Sequence, residues 1–312
     1  MGRFKFVLLR PIELIPVLLG ISAITFILVH MLPGDPAHVL LGPRATARAI
    51  AAIKSEYGLD KPIFVQYFYF LANLLHGHLG RSVVYKAPVF QVIAGHVVPT
   101  VFLVVYGVLI SIAASIVLAI MAALSEGRII DHTVRVLSTV GLGLPAFWIG
   151  VVFMMLFGID LGWFPVSGFG EGFWGHVHYL FLPALTIAFA MTPILTRNLR
   201  ASLLQETKAD YVLAARSKGL SPRVVWITHI LRNSLLATVN LLGVTVSWLI
   251  GGTVVVEMVF SVPGLGHLMV SSIFSRDYLV VEAVTMILAL GIVGTNFLVD
   301  IATALLDPRV NL

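Results

Sequence analysis

The chain has 312 residues, of which 59% are hydrophobic and only 11% charged, and its mean hydropathy is +1.00. A soluble domain carries about 25% charge, so these values exclude a soluble globular protein and require an integral membrane one. Cysteine is absent, which removes disulfide and thiolate chemistry. The formal charge of +5 is no nucleic-acid signal, because its placement follows membrane topology.

Apolar runs predict an all-α chain with six spans, at residues 12–32, 98–124, 134–159, 179–196, 235–256 and 280–306. Each is near or above the roughly 20 residues that cross about 30 Å of hydrocarbon. The first run ends in Met31-Leu32-Pro33-Gly34-Asp35-Pro36 without a small-x-small cleavage site, so it reads as a retained anchor. Residues 33–96 are too long for a simple connector. Within them, 45–57 reads as a short helix stopped by Gly58. Residues 62–76 read as a helix apolar on most of its surface, lying in the headgroup region or packed on the spans.

Gly141, Gly143 and Pro145 interrupt the third span. Small residues allow close helix approach and proline kinks the backbone, so Pro145 marks either ordinary packing with a kink or a lining residue of a translocation path. Trp163, Phe164, Phe169, Phe173, Trp174 and Tyr179 read as an interfacial aromatic belt or, with more convergence, a substrate cage. The short fourth span carries Pro183 and Pro193, tolerable where neighbours satisfy the freed carbonyls. Glu257 lies at or just within the membrane edge, either as a snorkelling carboxylate or in a partnered, path-facing position. Pro263, Gly264, Leu265 and Gly266 form a turn by composition, and Arg276 beside Asp277 suggests an ion pair fixing the outer loop.

Basic residues settle the expected orientation. Arg3, Lys5 and Arg10 precede the first span. Arg197, Arg200, Lys208, Arg216, Lys218, Arg223 and Arg232 lie between the fourth and fifth, and 160–178 contains none. The N-terminus, residues 197–234 and the C-terminus are therefore expected in the cytoplasm.

The polar island at 208–234 predicts two short helices joined by a tight turn. The first runs over 207–218 and closes at Gly219, where a residue without Cβ takes the left-handed conformation. Ser221 and Pro222 are N-cap and first residue of the second. Arg216 and Lys218 sit at the negative end of the first helix. Such an element suits DNA binding, a lipid-facing basic loop, or insertion into a groove on a cytoplasmic protein. DNA binding is disfavoured, since the third helix of a free-standing module is missing and both ends are tethered to the bilayer.

Catalytic signatures are missing. There is no phosphate loop, no Gly-x-Ser-x-Gly and no His-Glu-x-x-His. His76/His78 and His176/His178 are two-ligand pairs and weak metal sites. Asp300 is the main carboxylate candidate in the last span, which supports an ion-coupled carrier poorly.

Leu213-Ala214-Ala215, then Gly219, then His229-x-Leu231 after nine residues resembles the coupling loop of ABC importer permeases. The departures from the general pattern at Leu213, His229 and Arg232 are themselves similar to the dipeptide, oligopeptide and nickel branch. Leu32 to Pro36, Tyr57 to Pro62, Gly80-Arg81-Ser82, Val256-Glu257 to Gly266 and Arg276-Asp277-Tyr278 resemble the first of that branch's two permease subunits. The resemblance implies one transmembrane domain over 1–312 with the type I importer permease fold, multi-pass in a bacterial or archaeal inner membrane. It implies a heterodimer with a second, homologous permease, two cytoplasmic ATPase subunits and an extracytoplasmic solute-binding protein, besides membrane lipid and without nucleic acid. The chain itself would be non-catalytic and free of cofactors, with ATP and Mg on the ATPase partners. Asp210, Tyr211, Ala214, Ala215, Arg216, Lys218, Gly219 and Leu220 would couple to the ATPase. Pro145 and Glu257 would border the path, and Pro263, Gly264, Gly266, Arg276 and Asp277 would shape the outer loop. Expected cargoes are peptides or glutathione-like solutes, with nickel complexes or oligosaccharides as alternatives. An ion-coupled carrier and an intramembrane enzyme are the rival classes.

Overall fold

The computed structural model describes residues 15–27, 46–48, 51, 61–82 and 84–306. The expected helix over 45–57 and the motifs at 32–36 and 57–60 lie largely or wholly outside these residues. The described chain forms α1 (Ile15–Ile27), α2 (Ile63–Leu75), α3 (Val89–Leu124), α4 (Ile129–Gly143) and α5 (Ala146–Phe153). After these come α6 (Gly172–Tyr179), α7 (Phe181–Thr207), α8 (Asp210–Ser217), α9 (Arg232–Val259), α10 (Leu265–Phe274) and α11 (Tyr278–Leu306). Among the described residues three helices are long and apolar enough to cross a membrane, or five if each of two bent pairs forms one span.

The chain divides into two compact units. Among the described residues, one comprises 101–262 and 294–306; the other comprises 15–27, 46–48, 51, 61–82, 84–100 and 263–293. The first unit contains two apolar clusters. In one, Leu103, Leu182, Ile187, Met191, Val246 and Phe260 bring together α3, α7, the C-terminal half of α9 and the residue that follows it. Gly107 makes the α3–α7 approach possible, since a Cβ there would lie 2.5 Å from the Ile187 methyl. The other cluster gathers Ala119 and Ala123, Leu199 and Leu203, Val212 and Ala215, and Val225 and Ile230. Several buried hydroxyls bond back into their own helices, as Ser111 does to the Gly107 carbonyl at 2.6 Å and Thr186 to Leu182 at 2.9 Å. That satisfies polar groups that lipid would leave unpaired.

Several expected boundaries move. The third span is broken. Leu144 and Pro145 are both extended, with ψ of 128° and 134°, and α4 and the α5 segment meet at 104°. The residue before a proline is driven out of the helical region, and the proline offers no amide to continue the ladder. Beyond Phe153 the helix widens into a π-type stretch over Met154–Asp160. The helix that holds the expected fourth span does not end near 196 but runs on as α7 to Thr207, with Pro193 inside it. The second island helix is not separate either: from Pro222 the chain coils through a π-type stretch, Val225–Leu231, directly into α9.

In the second unit Val89, Val92, Ile93, Leu265, Leu268, Val280, Ala283 and Val284 form the core. The expected turn at 263–266 is only the entry to α10, with Gly264 in the N-cap position and Gly266 buried within the helix. The expected Arg276–Asp277 ion pair does not form. Asp277 is buried and instead accepts hydrogen bonds from the Ser82 hydroxyl and the Val84 amide, while Ser82 accepts from the Tyr85 amide. Arg276 is exposed with φ +57°, the cost of turning the chain so that Asp277 points inward.

Candidate functional site: the short helix α8

α8 is short, with charges at both ends and a glycine cap at its C-terminus. Asp210 lies in the first turn and Arg216 in the last, each matching the sign of the helix dipole. At the C-terminus Gly219 takes φ +76°, its amide donates to Arg216 O at 3.0 Å, and the Leu220 amide reaches Ala215 O at 3.3 Å. These two bonds close the helix in the glycine-terminated manner expected. Its start differs from expectation. Thr207 belongs to the end of α7, and the chain breaks at Lys208–Ala209 before α8 begins.

The helix has two unlike faces. Val212 and Ala215 are buried at 1% and 7% exposure against Leu199, Leu203, Val225 and Ile230. Asp210, Tyr211, Ala214, Arg216, Lys218, Gly219 and Leu220 are exposed. Of the eight sequence-selected residues only Ala215 is buried, so its small size serves packing against α3, α7 and the stretch leading into α9. A Cβ at Gly219 would meet nothing within 4 Å, so backbone conformation alone calls for glycine there. Leu213, absent from the selected set, is 67% exposed on the bare face. Its signal was available: an apolar residue one position after the buried Val212 on a short polar helix.

Polar ties hold α8 and its neighbours. The Tyr211 hydroxyl donates to the Glu206 carboxylate at the end of α7 and accepts from Asn233 Nδ2 at the start of α9, the latter at 3.0 Å. Burial, then the bond to Glu206, holds its phenol above the ordinary 10.0. Deeper in the same unit, Arg200 of α7 grips Asp131 of α4 with two bonds of 2.6 and 2.7 Å, and the Gly127 amide adds a third at 3.1 Å. Asp131 is 1% exposed and Arg200 17%. Sequence reasoning missed this pair because its partners are 69 positions apart.

The remaining selected residues are scattered. Pro145 is exposed at the α4–α5 break, whereas Glu257 is wholly buried within α9 and its own unit. Glu282 in α11, also missed, is buried at 7% exposure in the second unit. The aromatics of 157–181 pack on one another, with Phe164 stacked on Phe181 at 4.5 Å and His176 on Phe169 at 3.8 Å. His176 and His178 bond to the Phe169 and Trp163 carbonyls, and His76 to Ala72 O. Among the described residues no group of three or more His, Asp or Glu is placed to hold a metal ion.

Comparison with known proteins adds the following. The family described as binding-protein-dependent transport system inner membrane component matches residues 115–312, and its N-terminal counterpart matches 3–104. The glutathione transport system permease protein GsiC of Salmonella choleraesuis (strain SC-B67) is 36% identical over 306 residues, 98% of each chain. GsiC of Escherichia coli (strain K12) is 35% identical over the same length and coverage. An inward-facing structure of the MetNI methionine ABC transporter superposes with a TM-score of 0.57, covering 70% of this chain and 98% of that one at 16% identity. An amino acid ABC transporter crystallised with histidines gives 0.55, 69% and 94% at 15%. At those identities the structural likeness is one of fold.

Proposed function

Because this chain belongs to the binding-protein-dependent transport system inner membrane component family, we propose that α8 is the lever by which an ATPase subunit drives it. The chain is a multi-pass membrane protein and a non-catalytic permease subunit of an ABC importer, with the type I permease fold. One observation carries the proposal: a stiff, glycine-capped helix is buried on one face against three helices of its own unit and bare on the other. The bare face offers Leu213, Ala214 and Leu220 framed by Arg216 and Lys218. An apolar patch ringed by cations fits a cleft lined with apolar and acidic groups.

Two ATPase subunits beneath a heterodimer of this chain and a homologous permease would close on ATP and carry α8 with them. The spans attached to α8 would then rotate between inward- and outward-open states. ATP and Mg belong to those partners, and a solute-binding protein delivers cargo from outside. Six spans, with both termini cytoplasmic, complete this reading, the sixth being the 12–32 run that contains α1. The cargo is a short peptide or glutathione-like solute, as the names of the 36% identical relatives suggest. Nickel complexes and oligosaccharides are the alternatives. Mass spectrometry of the solute that co-purifies with the binding protein decides among them.

Gly219→Glu tests the lever. There is room for the side chain, but the left-handed backbone costs a non-glycine residue about 1–2 kcal/mol, and the carboxylate puts negative charge beside the docking face. The variant is expected in the membrane at normal levels with solute uptake abolished. Normal uptake and normal ATP hydrolysis would remove α8 from the coupling route.

A further inference from the structure

Deepening the proposed function and resting on it, we propose that Tyr211 is a positioning residue: its hydroxyl clamps α8 to both helices that carry it, so that all three move as one body. The hydrogen-bond directions are unambiguous. A carboxylate only accepts and the Asn233 amide nitrogen only donates, so the phenol proton goes to Glu206 and the phenol lone pair receives Asn233. The three groups form one polarised chain that ends on a charge, the arrangement in which each bond strengthens the next.

Its placement matters as much as its chemistry. Glu206 is in the last turn of α7, Tyr211 in the first turn of α8 and Asn233 in the first turn of α9. The apolar side of α8 is already held by Val212 and Ala215. Greasy contact resists separation but not sliding, because burial is non-directional. The hydroxyl bridge supplies the directional restraint. Among the described residues no other α8 side chain hydrogen-bonds to another helix. The ring of His229, tilted at 6.4 Å from that of Tyr211, lies beside the bridge. Tyr211 is 39% exposed, yet its hydroxyl is engaged inward, which argues for tethering rather than for contact with a partner.

The test uses the complete assembly in proteoliposomes, with binding protein purified carrying its own co-purified solute as the probe. Tyr211→Phe removes one oxygen and leaves the ring packing. Association of the ATPase subunits and thermal stability of the assembly are expected to stay unchanged. The stimulation of ATP hydrolysis by loaded binding protein is expected to fall about three- to tenfold, the order expected for loss of one ordinary intramolecular hydrogen bond. Asn233→Ala should lower it in the same direction, and the double variant should be no worse than Tyr211→Phe alone, as for members of one network. Full stimulation in Tyr211→Phe overturns the clamp. So does weakened ATPase association, which makes Tyr211 a contact residue, or a proportional loss of stability and both rates, which makes it a folding residue. A wild-type chain that retains no ATPase subunit overturns the proposed function itself, and the clamp with it.

Discussion

Asp131 and Arg200 form a buried, two-pronged ion pair in the first unit. Two parallel N–H···O bonds and a backbone amide satisfy a carboxylate that water barely reaches. Removing one partner of a desolvated pair leaves the other uncompensated. Asp131→Asn keeps the shape but not the charge, and is expected to destabilise the detergent-solubilised chain by about 3 kcal/mol in denaturant unfolding. Arg200→Lys keeps the charge but loses the two-pronged fork, so its loss should be smaller. Negligible loss in Asp131→Asn would mean that the buried charge contributes nothing, whereas negligible loss in Arg200→Lys alone would mean that Arg135, 3.8 Å from Asp131, makes up for the missing fork. Neither residue stood out in the sequence, where Arg200 is one of seven cations between residues 197 and 232. The short-range features were legible: Gly219 with its positive φ and the dipole-matched ends of α8 follow from local stereochemistry.

Among the elements, the broken third span shows how a local rule sets a large-scale angle. Pro145 and the restriction it places on Leu144 end α4 and start α5 at 104°. Replacing proline restores an amide donor and lifts the restriction. In a Pro145→Ala chain, spin labels on Cys introduced at Thr139 and Met155 are expected to separate towards the roughly 24 Å of 16 residues of straight helix. The natural absence of cysteine leaves no background labelling in this chain. An unchanged distance would place the cause of the bend in packing around α4 and α5. Helix ends were less legible than breaks. α7 reaches Thr207 because Leu199 and Leu203 are buried with α8, a tertiary reason that a hydropathy window does not register.

For the whole molecule the decisive claim is orientation. The cations at 197–232 and their absence from 160–178 predict that α8 faces the cytoplasm and the aromatic segment faces outward. A membrane-impermeant maleimide should label Glu171→Cys in intact cells, and Ser202→Cys only after permeabilisation. The reverse pattern would invert the topology and leave α8 on the wrong side for any ATPase.

Composition and the glycine-terminated island determined by themselves that this is a membrane-embedded, all-helical chain with a short capped helix between two apolar runs, while its identification as a transport subunit came from the resemblance of its motifs. Those properties depend on hydropathy and on backbone preferences within a few residues, which act before any long-range contact forms. Tertiary structure alone decided that Ala215 looks inward while Leu213 looks outward, that Asp277 binds Ser82 rather than Arg276, and that Tyr211 joins α7 to α9. Each depends on which helix faces lie against one another, and packing complementarity between distant segments is not written in local spacing.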